Sequence, residues 1–172
     1  MRGIITLTVT NRPGVLNRIT NLFSKRNYNI ESITVGHSEQ EGISRMTFVV
    51  NVEDERIIEQ MTKQLNKQVD VIKVTDLTHQ SIVARELALI KVSVTQQNRS
   101  EINALVEPFR ASVIDMSKDS LVIQITGESE KVEAFIELLK PYGIKEMART
   151  GTTAFPRGTQ KTSSLPSSFS IV

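Results

Sequence analysis

The residues best placed to do chemistry are Asn11-Arg12-Pro13-Gly14-Val15-Leu16. They separate a run holding Ile4, Ile5, Leu7 and Val9 from a run holding Val15, Leu16, Ile19, Leu22 and Phe23. The first run alternates like a strand and the second has helical spacing, so the six residues carry a strand into a helix N-terminus. First-turn amides of a helix have no intrahelical acceptor. Here they would belong to Gly14, Val15 and Leu16. Pro13 suits the first helical turn, and Gly14 has no Cβ to crowd a ligand approaching the backbone. The chemistry this permits is capture of an anion. Charge favours it: residues 1–30 hold five basic side chains (Arg2, Arg12, Arg18, Lys25, Arg26), and the first acid of the chain is Glu31. Every other helix start inferred below carries an acid that complements the positive helix end. Asn11 can both donate and accept, and it would also serve as an ordinary helix N-cap. A plain tight turn fits the same residues, and both readings stay open here.

Other chemistries are poorly supplied. There is no Cys, which excludes disulfides, thiolate catalysis and thiolate metal sites. His37 and His79 are the only histidines, too few for a multi-His centre. No Gly-rich phosphate loop or nucleophile elbow occurs. Glu53-Asp54-Glu55 is better explained as a helix start than as a metal site. His37 lies beside a hairpin turn, where a surface role suffices. No enzyme constellation emerges. No apolar run approaches the ~18 residues of a membrane span. The N-terminus reads directly as a strand with no secretory leader, so a cytoplasmic location with no membrane partner is expected.

The elements that position the loop follow in order. Arg2 to Thr10 alternates, with Ile5, Leu7 and Val9 on one face and Thr6, Thr8 and Thr10 on the other, as in a half-buried strand. The helix after the loop should end near Arg26-Asn27. Asn29 to Ser38 is rich in β-branched residues and reads as a strand. A turn at Glu39–Gly42 leads to a strand over Ser44 to Val52, with Met46, Phe48, Val50 and Val52 on one face. A helix opens at Glu53-Asp54-Glu55, and a fourth strand spans Val69 to Asp76.

The order βαββαβ then repeats. A strand over Glu86 to Thr95 precedes Asn98-x-x-Glu101, which resembles a capping box. Its helix carries Ile102, Leu105, Val106 and Phe109 and reaches its last turn at Pro108. A hairpin (Ala111 to Met116, Leu121 to Thr126), a helix opened by Glu128 and Glu130, and a strand over Ile144 to Arg149 complete the repeat. The fold class expected is α+β: two tandem ferredoxin-like βαββαβ sandwiches, each with two helices on one face of an antiparallel sheet. The expected boundaries are 1–78 for the first domain, 79–85 for a linker and 86–151 for the second domain; Gln80 to Arg85 has no Gly or Pro, so a strand extension is the alternative reading there. Residues 152–172, rich in Gly, Ser, Thr and Pro, form a mobile tail in this reading. The second half has Gln96-Gln97-Asn98-Arg99-Ser100 where the first has the Pro-Gly loop, so one ligand loop per chain is expected.

Asn11-x-Pro13-Gly14-Val15-Leu16 between a strand and a helix resembles the ligand loop of an ACT domain, a small amino-acid-sensing module. Tyr28-Asn29-Ile30-Glu31-Ser32-Ile33-Thr34-Val35 and Ser44-Arg45-Met46-Thr47 follow at matching distances. Together, over residues 1 to about 160, they resemble the small regulatory subunits of acetolactate (acetohydroxyacid) synthase. The first domain would then be the ACT regulatory domain.

The resemblance implies that two chains pair side by side as a homodimer and hold valine, leucine or isoleucine where they meet. Asn11, Pro13, Gly14, Val15 and Leu16 would come from one chain. Asn29 and Ile30, with Thr34 and Val35 nearby, would come from the other. A bound amino acid would place its carboxylate on the loop amides, with Asn11 bridging carboxylate and ammonium, Asn29 offering a second amide and an apolar wall holding the side chain. The resemblance also implies a separate catalytic subunit, which condenses two pyruvates to 2-acetolactate and CO2. That subunit carries the thiamine diphosphate, Mg2+ and FAD, so no cofactor or metal is expected in this chain. The small chain would raise its partner's activity and confer feedback inhibition. Two alternatives stand beside this. One is a nucleic-acid-binding ferredoxin-like module, which the basic N-terminal stretch permits but the scarcity of aromatics on the central strands does not favour. The other is an ACT module serving a different enzyme.

Overall fold

Alternation and helical periodicity resolve into two βαββαβ units in a computed structural model, which describes residues 1–158. In the first unit, β1 (Arg2–Thr10), β2 (Asn29–His37), β3 (Ile43–Asn51) and β4 (Val71–Asp76) form an antiparallel sheet in the order β2-β3-β1-β4. Helices α1 (Val15–Lys25) and α2 (Glu55–Leu65) cover one face. The period-2 pattern puts Ile5, Leu7 and Val9 of β1 and Met46, Phe48 and Val50 of β3 beneath them. Val15, Ile19 and Phe23 answer from α1 at helical spacing, and the Phe23 ring stacks on Phe48 with centroids 4.9 Å apart. The α2 N-cap is Asp54, whose carboxylate accepts from the Arg56 amide at 3.0 Å.

The second unit repeats the order. Strands β5 (Ile82–Ser93), β6 (Ser112–Met116), β7 (Ser120–Gly127) and β8 (Ile144–Arg149) pair as β6-β7-β5-β8 beneath α3 (Arg99–Val106) and α4 (Ser129–Leu139). Its core is Ala88, Ile90, Val92, Leu121, Ile123, Ile125, Val132, Phe135 and their neighbours. Helix α3 stops at Val106, short of Pro108. Phe109 lies in the turn beyond it and still meets Phe135 with centroids 5.0 Å apart.

Two boundaries differ from expectation, for one reason. Residues 82–85, expected in a linker or as a strand extension, are the first residues of β5, and the expected tail begins with a ninth strand, β9 (Thr153–Pro156). These two short segments pair with each other, Val83 opposite Phe155 and Ala84 opposite Ala154. Neither is persuasive alone, and each is a strand because the other is there. The remainder of the expected tail, residues 159–172, lies outside the described residues.

The β5–β9 ribbon packs toward the helix-free face of the first sheet. That face is not the open one expected from the threonines of β1: Thr6, Thr47 and Val49 are buried. Val49, Leu77 and Ala154 are buried apolar residues outside both helix-covered cores. The second half therefore caps the sheet that carries the loop.

Candidate functional site

The loop at the end of β1 is a four-residue turn. The Val15 amide donates to the Arg12 carbonyl at 3.3 Å, with Pro13 and Gly14 between them. Gly14 has φ 82° and ψ −5°, the values of the third residue of a type II turn, where Pro precedes and Gly is favoured. Pro13 therefore sits in the turn before the helix and not in its first turn. Gly14 is required by its left-handed backbone as well as by open space. A Cβ there would lie 3.1 Å from Arg18 Nη1.

The helix N-cap is Gly14, not Asn11, and no side chain among the described residues caps α1. Asn11 is exposed. Its backbone amide is held by the Gly42 carbonyl at 2.7 Å, while its side-chain amide has no partner among the described residues. The turn consumes the Val15 amide. The amides left without an acceptor among the described residues are those of Gly14, Leu16 and Asn17. No acid stands in the first turn of α1, whereas α2, α3 and α4 have Glu55, Glu101 and Glu130 there.

An acid does reach the region from elsewhere. Asp70, just before β4, accepts from Arg18 Nε at 2.9 Å and Nη2 at 2.6 Å, and from the Thr10 hydroxyl at 3.1 Å. The Arg18 hydrogen bonds hold its carboxyl below the usual carboxylate range against a smaller desolvation cost. Asp70 thus fixes Arg18 beside Gly14. Sequence reasoning missed this pair because its members are 52 residues apart and no local pattern joins them.

The remaining candidates lie on β2, an edge strand of the sheet. Register divides them. Ile30 and Val35 are opposite Val50 and Met46 and share the helix-covered face, while Asn29 and Thr34 are opposite Asn51 and Thr47 on the other face. Thr34 is covered by the second half: its hydroxyl is buried without a partner among the described residues, and a Cβ on Gly151 would come within 2.7 Å of it. Val35, by contrast, is 45% exposed and Leu16, at the start of α1, is 42% exposed. Leu16 is therefore not part of the apolar stripe that α1 buries.

Within one chain the loop and the start of β2 are far apart. Thr10 pairs with Ile43 at one end of the sheet, while Asn29 pairs with Asn51 at the other. Eight residues of strand separate those ends, ~26 Å at strand rise. The fold brings Asn11, Pro13, Gly14, Val15 and Leu16 together and leaves Asn29 and Ile30 remote from them. Among the described residues no group of His, Cys, Asp or Glu is arranged to hold a metal, and no helix is long and apolar enough to cross a membrane.

Comparison with known proteins matches this anatomy. Residues 5–73 fit a family described as "AHAS small subunit-like ACT domain", and residues 85–158 fit "Small subunit of acetolactate synthase". The chain is 70% identical over 172 residues to the acetolactate synthase small subunit of Bacillus subtilis, covering all of both chains. The chain belongs to the acetolactate synthase small-subunit family. A probable small subunit from Archaeoglobus fulgidus is 49% identical over 161 residues, 94% of this chain and 100% of that one. The crystal structure of the Thermotoga maritima small subunit superposes with a TM-score of 0.86 at 44% identity, covering 93% of this chain and 99% of that one. Both halves are thus parts of one family architecture, with the ACT fold first.

Proposed function

We propose that this chain is the regulatory partner of a separate acetolactate synthase catalytic subunit, which it activates and places under feedback control by valine, leucine or isoleucine. The effector binds between two copies of the ACT domain. The observation that carries this reading is the start of α1: an acid-free helix end with no side-chain cap among the described residues and open amides at Gly14 and Leu16, with Leu16 exposed in its first turn and Val35 exposed on the β2 edge. An α-carboxylate suits the amides, Asn11 spans carboxylate and ammonium, and the exposed aliphatic residues suit a branched side chain.

The distance within one chain supports a dimer. Antiparallel pairing of β2 with β2 about a two-fold axis exchanges the ends of the strand. Asn29 and Ile30 of one copy then arrive beside the Asn11–Leu16 loop of the other, which no arrangement of a single chain achieves. The same pairing completes the open edge of β2 and covers Val35. The thiamine diphosphate, Mg2+ and FAD belong to the catalytic subunit in this reading. The complex would act in the cytoplasm.

Two observations weigh against the nucleic-acid alternative. Phe48, the aromatic on the central strands of the first sheet, is fully buried under α1, and the ribbon of β5 and β9 covers the sheet face that would serve as a stacking platform. Titration calorimetry of the purified chain with valine, leucine, isoleucine and serine tests the proposal. Saturable heat with a branched-chain amino acid and none with serine is expected. Equal heats with all four, or salt-sensitive RNA binding without amino-acid binding, would refute it.

A further inference from the structure

The junction of the two halves holds an unusually placed carboxylate. Glu86 of β5 has a side chain only 4% exposed, yet it carries a charge. Burial pushes its carboxyl up, and the Thr152 hydroxyl at 2.7 Å and the Arg149 guanidinium more than offset this, leaving it below the usual carboxylate range. Arg149 Nε and Nη2 reach Glu86 Oε2 at 2.9 and 2.8 Å, and Arg149 Nη1 reaches Glu133 of α4 at 2.7 Å. On the other side, Arg2 Nη2 lies 3.6 Å from Glu86 Oε1, and Arg2 Nε donates to Glu31 at 2.9 Å. The result is an unbroken line of ion pairs, Glu31–Arg2–Glu86–Arg149–Glu133, running from β2 across β1, β5 and β8 to α4.

Its first member has an unusual seat. The β2–β3 ladder shifts register between Ile30 and Ser32, leaving Glu31 as the extra, unpaired residue of a bulge. Glu31 adjoins Asn29 and Ile30, the part of β2 that the dimer brings to the effector. A bulge is where a strand can change its local path without breaking its ladder. Movement of Asn29–Ile30 onto a ligand would therefore carry Glu31 with it, and Arg2 is shared between Glu31 and the buried Glu86, which Arg149 and Thr152 also hold. A second contact joins the halves independently: Gly151 packs so closely that a Cβ would lie 2.8 Å from the Ile33 carbonyl.

Resting on the effector reading above, we infer that the Glu31–Arg2–Glu86–Arg149–Glu133 line is the route by which effector binding at β2 reaches α4. Arg2 is the positioning residue that joins the two halves of the line. Its role differs from a merely stabilising one: cutting the line at Arg2 or Glu31 leaves effector binding in place and removes only the distant response.

Hydrogen exchange of the full chain with and without valine tests this, in the unaltered protein, in Arg2→Met and in Glu31→Ala. Arg2→Met leaves Glu86 with Arg149 and Thr152. Glu31→Ala removes only the half-exposed outer pair, whose loss should move the thermal midpoint by no more than about 2 °C. In the unaltered chain valine should slow exchange in Asn29–Val35 and in Ser129–Leu139 by about fivefold or more. In both variants it should slow exchange in Asn29–Val35 alone. If α4 responds equally in the variants, the signal passes through the Gly151 contact or elsewhere and the line is refuted. If the unaltered chain responds at β2 but not at α4, this inference is overturned and the effector reading stands. If valine changes nothing anywhere in the unaltered chain, both are overturned.

Discussion

In the first half, β1 passes to its helix through Arg12-Pro13-Gly14, a turn closed by backbone alone, with Gly14 as an N-cap that has no side chain. In the second half, β5 passes to α3 through Thr95–Asn98, and there the side chains close the turn. Asn98 Oδ1 accepts from the Thr95 amide at 2.7 Å, and the Asn98 amide donates to Thr95 Oγ1 at 3.2 Å. Glu101 adds a negative charge to the first turn of α3, while that of α1 has none. Asn98 does not act as the capping box its spacing suggests, because its side chain is already engaged by Thr95. One topology thus yields one helix start with no acid beside its amides and one whose first turn already carries a carboxylate, and neither is capped by a side chain among the described residues. The α1 start follows the central strand β1, which β3 separates from the β2 edge that a second copy would extend in the proposed dimer.

The sharpest way to break this contrast is Gly14→Asp. It places a carboxylate against the proposed anion and a Cβ in a left-handed backbone, at a cost to stability of about 1 kcal/mol. Valine affinity should fall by a factor of about 100 or more, since charged hydrogen bonds are lost and repulsion is added; calorimetry reads this directly. Next in size is Val35→Lys. A charge on the exposed apolar edge of β2 should weaken the homodimer by about tenfold or more, which sedimentation velocity across a dilution series would detect as a shift to monomer.

A smaller effect concerns the Asp70–Arg18 pair, which has no counterpart at α3. Because its folded pKa is depressed, Asp70 contributes stability that is fully present above its ordinary value of 3.8 and disappears as pH falls through the lower folded value. The difference in unfolding free energy between the unaltered chain and Asp70→Asn should therefore be constant at neutral pH and shrink only at strongly acidic pH. Denaturant titrations at several pH values measure it. The smallest change expected in effector binding is from Thr95→Ala. Opening the closed turn should lower the thermal midpoint by about 2–4 °C and leave valine affinity unaltered. If it instead created a second binding event, the two helix starts would be more alike than their side chains indicate.

Much of this anatomy is legible in the sequence, for local reasons. The alternation of Ile5, Leu7 and Val9 and the helical spacing of Val15, Ile19 and Phe23 place the first core, and Pro13-Gly14 marks the turn. What is not legible depends on partners distant in the chain. Residues 82–85 become strand only because 153–156 pair with them. The threonine face of β1 looks solvent-facing until the second half covers it. Leu16 has the right spacing for the core, on nearly the same side of the helix as buried Phe23, yet in the first turn of α1 it stays exposed. Asp70 reaches Arg18, and Glu86 reaches Arg149, through folding alone. Thr34 falls in the same block as Val35, but strand alternation sends it to the opposite face, under Gly151.

The most direct test of the central claim is equilibrium dialysis of radiolabelled valine against the unaltered chain and Gly14→Asp, each with the catalytic subunit present. About one valine should bind per small chain in the first case, as two equivalent sites across a two-fold axis require, and none above background in the second at the same concentrations. Equal binding by both chains would contradict it.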